Sequence, residues 1–231
     1  MTKNKLAIII PVFNEAENIS ATISVIENTV KTPHVIYIVY DNDDDNTVPL
    51  VKALKENGAS VELLKNPKKG ACEAIKWGLK TAIGDYKLVT MADMSDDYGD
   101  VDKMCSLMDE GFDLVCGSRY CKGGKQLGGG IIKKTMSRTA GLTLKLLAGV
   151  PTYDATNSFK LYRSTMLETF EIQSDGGFEI GLEIIAKAYT SGYKITEVPT
   201  TWKDREKGQS RFKIIQWLPK YLKWYFYAIR H

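Results

Sequence analysis

Three aspartates, Asp93, Asp96 and Asp97, follow an apolar run at 86–92 that has the composition of a buried strand. Carboxylates at the C-terminal end of a parallel strand lie where α/β folds bind their ligands. Because acids this close together repel one another, we expect a compensating cation, and a divalent metal shared with a substrate phosphate would supply it. The alternative is a solvated turn in which an aspartate caps the next helix.

Histidine is almost absent, with only His34 and His231 in the chain. This argues against zinc sites with histidine ligands and against Ser-His-Asp catalysis. Any chemistry must therefore depend on carboxylates, cations, a metal ion or the positioning of substrates.

The cysteine and apolar patterns predict a cytoplasmic protein. Four cysteines occur without a CxxC pair, which is typical of free thiols in a reducing compartment. No signal-peptide pattern opens the chain, and no apolar stretch is long enough to span a bilayer.

Charge is unevenly distributed along the chain. Residues 201–231 carry eight Lys/Arg and two acids, a surplus of +6, which leaves −3 for residues 1–200 because the total is +3. A second basic stretch, 122–138, contains five cations and no acid. This distribution predicts a cation bound in one place and an anion or an anionic surface contacted in another.

Strands and helices alternate through the first half of the chain, with glycine at helix ends, which predicts a doubly wound, mostly parallel α/β sheet. Four predicted strands are followed by polar or acidic side chains: Asn14 and Glu15, Asp41, Asn66, and Asp93. Such strand ends meet along one edge, where we expect the site. No GxGxxG motif follows the first strand and no P-loop is present, which disfavours a dinucleotide-binding fold. A Gly-rich stretch at 123–130 is predicted to be a loop.

The C-terminal segment 212–231 is predicted to be an amphipathic helix that Pro219 kinks. One apolar face is predicted to dock on the domain, or to pair two chains as a homodimer, and includes Leu218, Leu222 and Phe226. The other face mixes Trp217 and Trp224 with lysines, which predicts contact with a membrane surface. No RNA-binding signature accompanies it, so we expect no nucleic-acid partner.

Motifs in a fixed order extend over nearly the whole chain, and each of them alone is weak. They are Pro11-Val12-Phe13-Asn14-Glu15, Asp41, Met91-Ala92-Asp93, Gly117-Ser118-Arg119-Tyr120, Ser137-Arg138, Asp154 to Arg163, Glu197-Val198-Pro199, and Asp204-Arg205. In their order and spacing the chain resembles the family-2 glycosyltransferases of the GT-A fold, most closely the dolichol-phosphate (polyprenyl-phosphate) mannose synthase group. The resemblance implies a nucleotide-diphospho-sugar transferase domain at 1–211, followed by the helix at 212–231.

The resemblance also implies a donor site. The nucleotide base and ribose would be bound by Pro11, Phe13, Glu15 and Asp41. Asp93 would bind Mg²⁺ or Mn²⁺ at the diphosphate of a nucleoside-diphosphate sugar, with Ser95 as a weak second ligand.

A separate group of residues is implied for the acceptor, a polyprenyl (dolichyl or undecaprenyl) phosphate. Its phosphate would be held by Arg119, Lys133 and Arg205, with Ser137 donating a hydroxyl. Asp93, Arg119 and Arg205 would then be the catalytic residues.

The chain departs from the family pattern at four positions. Tyr40 replaces the first of two paired aspartates, Met91 replaces the first acid of an Asp-x-Asp, and Ser95 stands where an amide is common. Lys133 replaces an arginine, which keeps the charge but loses the bidentate fork. These differences indicate a variant subfamily and leave the donor base and sugar open.

Together these features predict metal-dependent, inverting transfer from a donor such as GDP-mannose or UDP-glucose, by an enzyme on the cytoplasmic face of a membrane. A phosphate acceptor is anionic at neutral pH, so it needs no general base. If the acceptor were instead a hydroxyl of a soluble sugar or polysaccharide, a carboxylate base would be required, and the candidates are Asp97, Glu179 and Glu183. A third hypothesis is a non-catalytic module that binds sugar nucleotides.

Overall fold

The computed structural model of the protein describes residues 5–204 and 214–230. The first elements are β1 (Leu6–Pro11), α1 (Ile19–Thr29), β2 (His34–Tyr40), α2 (Thr47–Glu56), β3 (Val61–Lys65), α3 (Ala71–Thr81), β4 (Tyr86–Val89), a 3-10 turn (Tyr98–Asp100) and α4 (Val101–Asp109). They are followed by β5 (Leu114–Ser118), β6 (Lys125–Leu127), α5 (Ile131–Ala148), β7 (Lys160–Arg163), α6 (Ser164–Leu167), α7 (Ile180–Thr190), β8 (Ile195–Pro199), β9 (Thr201–Lys203) and α8 (Ile214–Arg230). Within the described residues, no helix combines the length and the apolar character that crossing a membrane requires.

Seven strands form one sheet in the order β3-β2-β1-β4-β7-β5-β8, in which neighbours are parallel except where β7 is involved. Both faces of the sheet are covered, and alternate residues of β1 enter different cores. Ala7 and Ile9 enter one core, whereas Leu6, Ile8 and Ile10 enter the other. Continuous apolar strands are typical of a sheet buried on both faces. The predicted doubly wound, mostly parallel α/β sheet is confirmed.

Strand β7 lies between β4 and β5 and runs antiparallel to both. It places Lys160 in register with Val89 on one side and Cys116 on the other. Strand β4 ends at Val89, so the three aspartates predicted to follow a strand lie in a loop beyond its end.

The Gly-rich stretch at 123–130 is not only a loop, as the sequence predicted. It contains β6, which pairs in parallel with β9. Gly124 permits this path, because a Cβ there would lie 2.3 Å from the Ser118 carbonyl oxygen. The pairing therefore holds the stretch close to the ends of β5 and β8.

Helix α5 lies directly on the loop that precedes β7. A Cβ at Gly141 would come within 1.9 Å of the Tyr153 carbonyl oxygen, so only glycine allows the helix to approach this backbone so closely. The helix ends at Gly149, whose φ of 76° is the left-handed conformation favoured at helix C-termini.

The packing face of α8 agrees only in part with the predicted one. Tyr221, Tyr225 and Ile229 of the predicted docking face do pack against the core, but so do both tryptophans of the opposite face. Trp224 is buried, and Trp217 packs edge-on against Phe178 with ring centroids 5.8 Å apart. Three residues of the face predicted to dock on the domain are instead exposed: Leu218, Leu222 and Phe226. Tryptophan rings bury more apolar area than leucine. In addition, the Nζ atoms of Lys187 and Lys223 lie 4.9 and 4.4 Å from the Trp224 ring centroid.

Replacing Gly141 by alanine is expected to lower the free energy of unfolding by roughly 1–3 kcal/mol, because α5 or the Tyr153 backbone must move. Urea denaturation measures this change. The control is Gly130→Ala at the start of α5, where no atom lies within 4 Å of the added Cβ. The control should change stability by less than about 1 kcal/mol. Equal effects of the two substitutions would contradict the close approach at Gly141.

Candidate active site

The loops that follow β1 and β2 are joined at the C-terminal edge of the sheet. The backbone N–H groups of Asn14 and Glu15 donate to Asp45 Oδ2 and Thr47 Oγ1 at 3.0 and 2.9 Å. Asn14 has a φ of 56°, a left-handed conformation that asparagine tolerates better than most residues. Asp45 and Thr47 are buried here. Neither was predicted as a site residue, although Asp45 belongs to an evidently acid-rich loop.

A third loop joins the same edge through Asp41. Its carboxylate oxygens accept hydrogen bonds from Asn66 Nδ2 and the Gly70 N–H, both at 2.8 Å. The residues predicted to bind the nucleotide all lie at this edge of the sheet: Pro11, Phe13, Glu15 and Asp41. Phe13 is well exposed there, so its ring is accessible to a planar ligand.

The three aspartates after β4 point to different partners. Asp96 is buried and accepts a hydrogen bond from Thr90 Oγ1 at 2.7 Å. Burial raises the pKa of Asp96 to about 6, although the Thr90 hydrogen bond opposes the shift. Asp97 accepts the backbone N–H two residues later at 3.0 Å and so caps the 3-10 turn. Asp93 accepts the Ser95 N–H at 3.2 Å.

The sharing of one cation by all three acids is not what the structure shows. In the described part of the chain, no three Asp, Glu, His or Cys side chains are grouped to hold a metal ion. The capped-turn interpretation is right for Asp97, whereas Asp93 and Ser95 remain neighbours across a tight turn. In this turn Met94 has a φ of 60°. One carboxylate and one hydroxyl fit Mg²⁺ or Mn²⁺ when substrate phosphates and waters supply the other ligands, as is usual for Mg²⁺.

Arg119 forms a buried ion pair with Asp154. Its Nε and Nη2 donate to the two carboxylate oxygens at 2.7 and 2.8 Å, and Nη2 also donates to Ser137 Oγ at 2.9 Å. The Ser137 hydroxyl is in turn 2.6 Å from Thr156 Oγ1. Burial disfavours the charged guanidinium, but Asp154 outweighs it and raises the pKa of Arg119 above its usual value. The guanidinium is therefore a fixed cation in one orientation.

A cleft of about 220 Å³ opens beside this ion pair. Its lining contains three cations and no acid and consists of Arg119, Tyr120, Gly124, Gln126, Lys134 and Arg138. The cleft is connected to the Asp93 turn through the small sheet: Gln126 is paired with Trp202, and the next residue, Lys203, donates its N–H to the Ser95 carbonyl at 2.9 Å. The geometry thus joins a basic cleft to the turn that holds the predicted metal ligands.

The residues predicted to bind the acceptor phosphate are only partly brought together. Arg119 lines the cleft, and Ser137 lies against its guanidinium. Lys133 is on α5 but is not part of the cleft lining, to which α5 contributes Lys134 and Arg138 instead. Arg205 lies outside the described residues. The acid-free stretch 122–138 contained the two missed cations, but the spacing alone did not show which helix face would turn inward.

Lys160 is a fully buried cation that the sequence did not single out. Its Nζ has no hydrogen-bond partner among the described residues. It lies beneath α7, where a Cβ at Gly181 would come within 3.2 Å of it. Burial lowers the pKa of Lys160 below its usual value.

The two glutamates considered as bases for a hydroxyl acceptor are fully buried and bound to backbone. Glu179 accepts the N–H groups of Gly176 and Gly177 at 2.7 and 2.6 Å. Glu183 accepts the N–H groups of two neighbouring loop residues and pairs with Lys187 at 2.7 Å. Both carboxylates therefore stabilise the 173–179 loop.

Comparison with known proteins identifies the family. The profile of the family described as glycosyl transferase family 2 matches residues 7–170. The chain belongs to this family.

Two curated relatives of this family-2 chain act on polyprenols, by their names. It is 30% identical over 214 residues to a dolichol-phosphate mannosyltransferase of Pyrococcus furiosus, covering 90% of this chain and 59% of the relative. It is 28% identical over 229 residues to a polyprenol monophosphomannose synthase of Mycolicibacterium smegmatis, covering 91% of this chain and 85% of the relative. The chain thus spans little more than half the length of the archaeal relative.

Solved structures share the fold of this family-2 domain at low sequence identity. Glucosyl-3-phosphoglycerate synthase from Mycobacterium tuberculosis, in complex with Mn²⁺, UDP and glucosyl-3-phosphoglycerate, superposes with a TM-score of 0.71 at 13% identity. The match covers 98% of this chain and 80% of that one. Such a likeness shows the GT-A-type fold and not the substrate.

Replacing Asp154 by asparagine is expected to lower the free energy of unfolding by about 3 kcal/mol or more, because it leaves the buried Arg119 guanidinium without its counter-charge. Chemical denaturation measures the loss. The matched control is Asp175→Asn, because Asp175 pairs with Lys220 at 2.8 Å on the surface. Exposed pairs contribute little, so the control should leave the unfolding midpoint unchanged. Similar midpoints for both variants would contradict the importance of the buried pair.

Replacing each of two buried lysines by methionine is expected to change the free energy of unfolding in opposite directions. Lys160→Met removes a buried amine for which the described residues supply no hydrogen bond, and it should raise the free energy of unfolding by roughly 1 kcal/mol. Lys187→Met should lower it by about 2 kcal/mol or more, because Glu183 loses its counter-charge. Both values come from denaturant titration. A loss of stability in Lys160→Met would show that the Lys160 amine has a partner that stabilises the fold.

Proposed function

We propose that this family-2 glycosyltransferase transfers a sugar from a nucleoside-diphosphate sugar to the phosphate of a polyprenyl phosphate, with inversion at the anomeric carbon. The observation that carries the proposal is the basic cleft beside Arg119, joined through the small sheet to the Asp93 turn. The polyprenol-related names of the two curated relatives support the same acceptor class. The donor is proposed to be GDP-mannose or a UDP-glucose-like sugar nucleotide.

The donor is proposed to lie along the carboxyl edge of β1 and β2. Pro11, Phe13, Glu15 and Asp41 lie there, with the exposed Phe13 ring available to the nucleotide. The hydrogen bonds from Asn14 and Glu15 to the neighbouring loop fix this edge before a ligand arrives. Such preorganisation lowers the ordering cost of binding.

Asp93 and Ser95 are the residues that would hold Mg²⁺ or Mn²⁺ at the donor diphosphate. When bound, a divalent cation offsets the negative charge that develops on the leaving diphosphate. Ser95 is buried and its carbonyl accepts from β9, so this turn is fixed to the wall of the cleft.

The acceptor phosphate is proposed to enter the cleft and contact Arg119, Lys134 and Arg138. Asp154 holds the guanidinium in place, so the phosphate meets a cation whose orientation is already set. Lys133, Ser137 and Arg205 stay predicted contributors to the same phosphate site. A phosphate is anionic at neutral pH, so its oxygen attacks the anomeric carbon directly and no side chain has to remove a proton.

Transfer to a sugar hydroxyl fits the site less well. That reaction needs a carboxylate base within reach of the acceptor. Glu179 and Glu183 already accept hydrogen bonds from backbone amides and are poorly placed to act as bases. Of the three candidates this leaves Asp97, which is exposed.

The test compares two aspartates four residues apart. Asp93→Asn should reduce transfer at least about a hundredfold, because it removes the carboxylate proposed to hold the cation. Asp97→Asn should keep nearly full activity, because Asp97 only caps a turn. The measurement is the formation of lipid-linked sugar from polyprenyl phosphate, a divalent cation and a panel of sugar nucleotides.

Each alternative corresponds to a different outcome of this assay. No lipid-linked sugar from any donor would overturn the proposed acceptor. Turnover with a soluble sugar that Asp97→Asn abolishes would favour a hydroxyl acceptor. Sugar-nucleotide binding without turnover, equal in the wild type and Asp93→Asn, would indicate a non-catalytic binding module.

The enzyme is proposed to act at the cytoplasmic face of a membrane, since a polyprenyl chain resides in the bilayer. The C-terminal helix was predicted to contact the membrane through its tryptophans, but Trp217 and Trp224 face the domain. Any membrane contact of α8 therefore belongs to its opposite face. A homodimer stays a prediction.

A further inference from the structure

Lys160 is a buried amine that the proposed reaction does not use. Its strand β7 places it in register with Val89 and Cys116, and both of these belong to the apolar core on one face of the sheet. Residues directly opposite each other on antiparallel strands point to the same face, so the Lys160 side chain enters this core. Its Nζ is fully buried and has no hydrogen-bond partner among the described residues. A buried polar atom in this state destabilises the fold, and its presence calls for a functional explanation.

Helix α7 disfavours a positive charge on this amine. A Cβ at Gly181, the second residue of α7, would lie 3.2 Å from Nζ. The first turn of a helix carries the positive end of the helix dipole. Burial acts in the same direction and lowers the pKa of Lys160. The amine therefore has a reduced affinity for a proton as long as no further negative charge comes near.

The ionisable groups on the elements packed around the amine share one property: none of them forms a hydrogen bond with Nζ. They are Cys116 on β5, Arg119 at its end, Asp96 after β4, Asp154 before β7, and Glu179 and Glu183 at α7. The Cys116 thiol is neutral, because burial raises its pKa to about 12. Arg119 and Asp154 neutralise each other. Lys160 thus has acids in its surroundings but no counter-charge of its own.

A short loop connects Lys160 to the basic cleft. The Asn157 N–H donates to Asp154 Oδ1 at 3.3 Å, and the Asn157 carbonyl oxygen lies 3.7 Å from the same Gly181 Cβ position that Nζ approaches. Residues 154–160 therefore carry both the carboxylate that holds Arg119 and the amine in the core. Charges act over several ångströms in a protein interior, because little water screens them. We expect a negative charge in the cleft to act on Lys160 across this loop.

We propose that Lys160 is a positioning residue that takes up a proton from solvent when a doubly charged anion enters the basic cleft. The charged amine then attracts the Asp154 carboxylate, which leaves more of the positive charge of Arg119 to the anion. No other bond changes in this step, in which the proton moves from the buffer to Nζ. The inference rests on the proposed phosphate acceptor, but its test needs neither donor nor lipid.

The probe is sulfate, which has the shape and the double charge of a phosphate monoester but does not titrate near neutral pH. Calorimetric titration in two buffers with different heats of ionisation counts the protons taken up per sulfate bound. The wild type should take up a measurable fraction of a proton. Because the bound state then holds more protons, its sulfate affinity should fall as the pH rises above neutral. Lys160→Met should lose this uptake and bind sulfate at least about threefold more weakly.

The matched control is Lys87→Met. Lys87 is a second buried lysine whose pKa burial lowers, but its Nζ donates to the Leu79 carbonyl at 2.6 Å. This variant should take up protons and bind sulfate like the wild type. Lys160→Arg keeps a permanent charge, so it should bind sulfate without the uptake that Lys160 provides. Circular dichroism shows whether each variant is folded, and the comparison of Lys160→Met with Lys87→Met decides the question by itself.

Sulfate binding by the wild type without proton uptake would overturn the proposal, as would equal uptake by the wild type and Lys160→Met. Absence of sulfate binding by the wild type would overturn it too, since the cleft would then not hold a doubly charged anion. In the transfer assay, Lys160→Met should raise the acceptor KM at least about threefold and leave kcat within about twofold. Failure of the proposed function is a separate result: transfer to polyprenyl phosphate without linked proton uptake would refute only the role of Lys160, and proton uptake without transfer would refute only the reaction.

Discussion

The buried ion pair between Arg119 and Asp154 is the interaction on which the arrangement of the site depends. It joins the end of β5 to the loop before β7, and Ser137 extends it to α5. A buried carboxylate is costly unless a counter-charge or hydrogen-bond donors compensate it, and Arg119 supplies both to Asp154. Asp154 follows Tyr153, whose carbonyl lies against Gly141. The same short loop therefore fixes the direction of the guanidinium and the position of the helix that carries the other cations of the cleft.

This pair also determines where the net positive and negative charges of the site lie. Asp154 neutralises Arg119, so the net positive charge of the cleft comes from Lys134 and Arg138 on α5. The negative charge lies across the small sheet, at Asp93 and at the buried Asp96, whose pKa burial raises to about 6. An anionic acceptor on the basic side and a cation with a diphosphate on the acidic side would each meet complementary charge. The scarcity of histidine is consistent with a nucleophile that carries its own charge.

The fold could be predicted from the sequence where a single residue pattern decides the outcome. Buried apolar runs define strands, and their polar ends define an edge, so Pro11, Asp41 and Asp93 were placed correctly along the sheet. The roles of individual side chains and the packing of helices depend instead on partners that are distant in sequence. Two glycine amides determine that Glu179 supports a loop rather than acting as a base. The contact of Trp217 with Phe178 determines which face of α8 packs on the domain. Helical periodicity separates two faces but does not say which one packs.

The two tryptophans of α8 both pack toward the domain, Trp224 buried and Trp217 partly so. Because Trp217 and Trp224 fix the helix to the 173–179 loop and to α7, Leu218, Leu222 and Phe226 are left on the outside of α8. Arg138 of α5 lines the basic cleft and is also exposed to solvent. In the proposed reaction the polyprenyl chain would stay in the bilayer and only its phosphate would enter the cleft, so the site would need no apolar pocket for the lipid.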